Sequence, residues 1–156
     1  MPTVTEQLME LQKKLDAVPD SECSCERCKS MCEYRACWPT PKEAQALINA
    51  GYGERLWVDY WAGGGLLSDH DNDISILAPA AAGKEKEYHP FWPEGRCTFL
   101  TKDGLCELHD QGLKPSEGRK AIHSDEDPVH LHAMVATMWD EEAAEHLVEE
   151  WLDRFL

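Results

Sequence analysis

Residues 21–37 read SECSCERCKSMCEYRAC, and five of the chain's seven cysteines lie there: Cys23, Cys25, Cys28, Cys32 and Cys37. The residues between them are mostly charged or polar, so burial alone cannot fold this stretch. A single free cysteine is ordinarily a small core residue. Five in so polar a run need another source of binding energy, and a metal ion supplies one. Cys25-x-x-Cys28 is a chelate spacing, in which two thiolates across a tight turn grip one tetrahedral ion. Cys32 follows after three residues, and one helical turn would bring it to the same ion.

The other two cysteines lie far along the chain. Cys97-Thr-Phe-Leu and Leu105-Cys106-Glu-Leu flank Lys102-Asp103-Gly104. An Asp-Gly pair between short apolar runs is a hairpin signal. Antiparallel pairing would set Cys97 near Cys106 as a second pair. Two separated pairs closing on metal is the logic of a zinc ribbon.

Helical patterns surround these segments. Thr3 and Glu6 have capping-box spacing, and Val4, Leu8, Leu11, Leu15 and Val18 form one apolar stripe that Pro19 ends. Thr40, Pro41 and Glu43 suit the N-cap, N1 and N3 of a second helix closed by Gly51. A further short helix is expected from Glu54 to Trp61, and a strand from Ile74 to Leu77. Residues 79–95, rich in Pro, Gly and Ala, read as a loop. Asp127-Pro128 opens a helix with Leu131, Met134, Val135 and Met138 on one face. Asp140 is expected to cap a last helix, striped by Ala143, Ala144, Leu147, Val148, Trp151, Leu152 and Phe155. The expected fold is therefore a single α+β domain over residues 1–156, mostly α-helical. It has a small β-hairpin at 97–109, C-terminal helices at 128–155, and a cysteine-rich segment at 23–37 stapled by metal.

With 156 residues, the chain can bury roughly 68–70% of its unfolded surface and build a core without disulfides. Its net charge of −15 opposes direct binding to nucleic acid or to an anionic membrane surface. MPTVTEQLME carries no signal-peptide pattern, and no stretch reaches the ~20 apolar residues of a membrane span. A cytoplasmic location is expected, where thiols stay free unless a metal or a reaction uses them. The partners expected are metal ions, with a protein partner left unidentified.

Three segments in order carry a family resemblance. They are Cys25-Glu-Arg-Cys28-Lys-Ser-Met-Cys32 with Cys37 downstream, Cys97-Thr-Phe-Leu-Thr-Lys-Asp-Gly-Leu-Cys106-Glu-Leu-His109, and Lys114-Pro115-Ser-Glu-Gly118-Arg119. Together they resemble the CxxCxxCC, or YkgJ-type, family of zinc- or iron-chelating proteins over residues 25–119. Two departures stand out. The adjacent Cys-Cys pair is absent, and Gly118 stands where the family's (K/R)-P-x-x-C-R segment has cysteine. His123 is the expected substitute ligand. The candidate metal ligands are then Cys25, Cys28, Cys32, Cys37, Cys97, Cys106, His109 and His123. Eight ligands suit two closed zinc sites, and four cysteines suit one iron–sulfur cluster. Zinc is favoured over iron because histidines accompany the cysteines.

The resemblance allows two functional classes. In one, the metal is structural and the protein is a binding or adaptor module. In the other, it is a metalloenzyme or redox protein with an iron–sulfur cluster or an open catalytic metal; the family's relatives include a flagellin lysine methylase. Elsewhere the readings are structural. His130 and His132 sit about 200° apart on a helix and pack at its boundary. Asp69 to Asp73 lacks the glycine and closing glutamate of an EF-hand. Trp57, Tyr60 and Trp61 belong to the core, and Arg119 to an ion pair.

Overall fold

The computed structural model describes residues 3–20, 32–62, 73–120 and 131–156. Helix α1 (Val4–Ala17) starts where Thr3 Oγ1 accepts from the Glu6 amide, and it buries Leu8, Leu11 and Leu15. Helix α2 (Pro41–Asn49) carries both halves of the capping box: Thr40 Oγ1 accepts from the Glu43 amide, and the Glu43 carboxylate accepts from the Thr40 amide. Gly51 then turns the chain at φ 95°, in the left-handed region that glycine enters without a Cβ clash.

The helix expected from Glu54 to Trp61 is instead a short 3₁₀ turn, Gly53–Arg55, followed by strand β1, Leu56–Trp61. LWVDYW is rich in aromatic and β-branched residues, which fit a pleated surface better than a helix. Its first four residues are buried. Strand β2 (Ile74–Pro79) pairs with it antiparallel, from Leu56 opposite Pro79 to Trp61 opposite Ile74. The segment after β2 is not simply a loop. The Lys86 amide donates to Leu56 O, the Val58 amide to Glu87 O and the His89 amide to Val58 O, so residues 86–89 run parallel along the free edge of β1.

Residues 97–106 form a turn shorter than the expected hairpin. The Thr101 amide donates to Leu105 O and the Glu107 amide to Phe99 O, around Gly104 at φ 78°. The chain continues through α3 (Ser116–Lys120), α4 (Leu131–Thr137) and α5 (Glu142–Phe155). Asp140 is not the cap of α5. Glu141 holds that place, with no side-chain cap bond. Helix α5 packs on β2 and on the Gly53–Arg55 turn, and α1 on α4. The fold is α+β, with one two-stranded sheet among the described residues. None of the described helices is long and apolar enough to cross a membrane.

Tryptophans fill the core, and three of them have their indole N–H satisfied. Trp139 donates to Pro39 O, Trp151 to Gly53 O, and Trp38 to Asp59 Oδ2 at 2.9 Å. Asp59 is 1% exposed. Its carboxylate also accepts from the Tyr60 amide and from Arg35, at 2.8 and 3.2 Å. Truncating it leaves a buried indole N–H without an acceptor. Asp59→Ala should cost about 3 kcal/mol or more, by the penalty for breaking a buried charged network. Urea unfolding measures this, and a loss under about 1 kcal/mol would show that Trp38 finds another acceptor.

Candidate metal centre

Four cysteines from two distant stretches line one small apolar cavity. Cys32, Cys37, Cys97 and Cys106 share it with Pro79, Phe99, Leu100, Leu108 and Pro115. Its free volume is about 10 Å³, close to what one water-sized body needs. All four are free thiols.

Local structure brings each one there. The Cys97 amide donates to Cys32 O at 2.8 Å, which joins the cysteine-rich segment to the turn at 97–106. Residues on either side of Cys97 pair with the chain after β2, through Ala82 N to Arg96 O and Thr98 N to Ala80 O. Cys106 pairs across the turn with Leu100. Arg55 clamps the turn from outside: its guanidinium meets both Glu107 oxygens at 3.0 and 2.9 Å, donates to Thr98 O, and lies 4.1 Å from the Phe99 ring centre. That bond holds the Glu107 carboxyl below its ordinary range.

Gly118 closes the remaining side. A Cβ at this position would sit 2.8 Å from Cys37 Sγ, nearer than real side chains approach. Gly118 therefore faces the cluster, and the Cys37 sulfur takes up the space that a side chain there would need.

Burial dominates the electrostatics. It raises the pKa of Cys32, Cys37 and Cys97, and Cys97 is pushed up to about 12. Neighbouring sulfurs add to the effect: Cys106 on Cys32, and Cys32 with Cys97 on Cys37. Residue 37 keeps some exposed surface, but its thiol is enclosed. Burial thus favours the neutral thiol form of Cys32, Cys37 and Cys97. As placed, no three Cys, His, Asp or Glu side chains among the described residues form a ready coordination group. The donor chemistry and the volume suit one ion, and the thiols would have to turn toward it.

The remaining candidates divide. His109 opens a short 3₁₀ turn (His109–Gln111), is exposed and does not line the cavity. Cys25, Cys28 and His123, with Cys23 and His130, lie outside the described residues, as do positions 69–72 of the acidic turn. Arg119 does form ion pairs, with Glu43 at 2.7 Å and Asp20 at 3.4 Å, which lock α3 to the start of α2.

One neighbouring group carried no signal in the sequence. Glu117, beside Gly118, accepts from the Trp38 amide through one carboxylate oxygen and hydrogen-bonds His132 Nδ1 with the other. His132 stacks on Trp38, with ring centres 3.8 Å apart, and meets Trp61 edge-on. The expected boundary packing of His132 holds, and the carboxylate fixes the backbone next to Cys37. These residues lie 79 and 94 positions after Trp38, so no local pattern joins them. Comparison with protein-family models, curated proteins and solved structures gave no match.

A thiol whose folded pKa is raised keeps its proton longer in the folded than in the unfolded chain. That part of the stability is present below the ordinary thiol pKa and is lost as pH climbs toward about 12. Only the thiolate is nucleophilic. In chelator-treated protein at pH 8, iodoacetamide should alkylate the tryptic peptide 97–102 on the order of a hundredfold more slowly in the fold than in urea. Equal rates by mass spectrometry would show that Cys97 is not held protonated.

Proposed function

We propose that this protein binds a zinc or iron ion through its cysteines, with Cys32, Cys37, Cys97 and Cys106 as the core of the ligand set. The supporting observation is the gathering of four thiols from distant parts of the chain around one ion-sized apolar space. Random core cysteines have no reason to converge, and soft sulfur donors around one space suit such an ion. A divalent ion would displace the thiol protons and bind the thiolates. Cys25 and Cys28 have the chelate spacing to join the set. Among the described residues the gathered cysteines form one group, and His109 does not line its cavity.

The metal's role on this reading is mainly structural. It ties the segment around Cys32 and Cys37 to the turn at 97–106, which local helices cannot do. Binding energy is then folding energy, on the order of 10 kcal/mol for a structural zinc. The protein would act as a binding or adaptor module. An iron–sulfur cluster on the same four cysteines is the alternative, and it would make redox or enzymatic work the leading function.

Protein purified under nitrogen without added metal should carry about one zinc per chain and no colour. Brown protein with iron and sulfide would establish the cluster instead. Protein free of metal, with all thiols titrating, would sink the reading. Double replacement Cys97→Ser, Cys106→Ser should remove the metal and lower the melting temperature by more than about 10 °C, as expected when most of a structural site's folding energy is lost.

A further inference from the structure

A second constellation lies on the sheet, outside the cysteine cavity. Ser75 on β2 stands opposite Tyr60 on β1. Its Oγ lies 2.9 Å from His89 Nε2, within hydrogen-bond reach. Both residues are half-buried, so the pair is shielded yet reachable from solvent.

The backbone is bent to make this meeting. His89 has φ 46° and Lys86 φ 70°, and these are the only non-glycine residues at positive φ among the described residues. Such a conformation is uncommon outside glycine. Here it is held by the His89 amide, which donates to Val58 O at 2.7 Å. The imidazole is also fixed as a ring. It stacks on Tyr88 with centres 4.0 Å apart and planes 10° from parallel, and Tyr60 lies 5.2 Å away. Burial lowers its pKa, against the opposing pull of Asp73 and Asp59. A neutral ring with its proton on Nδ1 can accept at Nε2.

The geometry points to Ser75 as a nucleophile toward activated acyl groups, with His89 as its general base. Hydroxyl and base within hydrogen-bond reach, with the base oriented by its surroundings, is the arrangement that activates serine. In the step, Ser75 Oγ forms a bond to the carbonyl carbon, and the bond from that carbon to the leaving oxygen or sulfur breaks. The serine proton passes to His89 Nε2 and then to the leaving group. No oxidant or reductant takes part. The substrates are activated esters and thioesters. The activity is independent of the metal reading.

p-Nitrophenyl acetate is the probe. Tryptic peptide 56–84 holds Ser75 and no cysteine, so acetylation there is read apart from thiol labelling. Full-length protein should take one acetyl group on Ser75. Ser75→Ala should lose that label, and His89→Asn should slow it about a hundredfold, the usual contribution of a general base. Asparagine tolerates the left-handed φ of position 89, so the variant keeps the backbone. Peptide 56–84 left unacetylated in the wild type while lysines and cysteines react would overturn the proposal. So would equal labelling of Ser75 in a folded His89→Asn protein. If that variant fails to fold, labelling of wild-type Ser75, compared with that of Ser68 in the same peptide, decides it: preference for Ser75 supports the activation, and parity refutes it.

Discussion

The hydrogen bond from the Trp38 indole to the buried Asp59 carboxylate ties the two halves of the architecture together. Asp59 is a buried charge on a mainly apolar sheet, and such a group survives burial only when its oxygens are occupied. The Trp38 indole, Arg35 and the Tyr60 amide occupy them. The consequence reaches beyond the pair. With Trp38 fixed, the backbone at Cys37 is fixed, and Glu117 holds it from the other side through the Trp38 amide. The cysteine cavity is therefore bounded by a segment that has almost no apolar anchor of its own except one tryptophan.

Around that anchor, short polar contacts replace the regular structure that a larger sheet would supply. Glu43 serves both its own helix and the next, accepting from the Thr40 and Ser116 amides and pairing with Arg119. Arg55 does the same for the turn at 97–106. Each of these is a charged group meeting several donors or acceptors at once, which gives fixed geometry as well as energy. The cavity walls inherit that rigidity, while the thiols inside keep the freedom of a single χ1 rotation.

Helices α1 and α2 are legible in the sequence because their signals are local, whereas the short α3 (Ser116–Lys120) carries no such signal. Thr3 and Glu6, and Thr40 with Pro41 and Glu43, lie within one turn of each other, and the structure caps both helices as that spacing requires. The 54–61 segment was misread as helix because a short run of aromatic residues has no clear period. Only pairing with β2 reveals it as strand. Asp140 was one residue out, the ordinary uncertainty of a helix end without a side-chain cap. The candidate site was legible in part. The cysteine spacing marked Cys32, Cys37, Cys97 and Cys106, and the structure gathers these four at one cavity. His109 matched the motif by position but does not line the cavity.

By itself, then, the sequence determined where α1 and α2 begin, which cysteines are candidates, and a net charge of −15. Periodicity, capping and charge are properties of neighbours along the chain, and need no folded partner to be read. Only the tertiary structure decided that Cys37 fills the space beside Gly118, that Glu117 and His132 stand behind it, and that Ser75 meets His89. These contacts join residues 14 to 94 positions apart. They depend on how far each side chain reaches once the sheet and helices have packed, and no spacing along the chain encodes that distance.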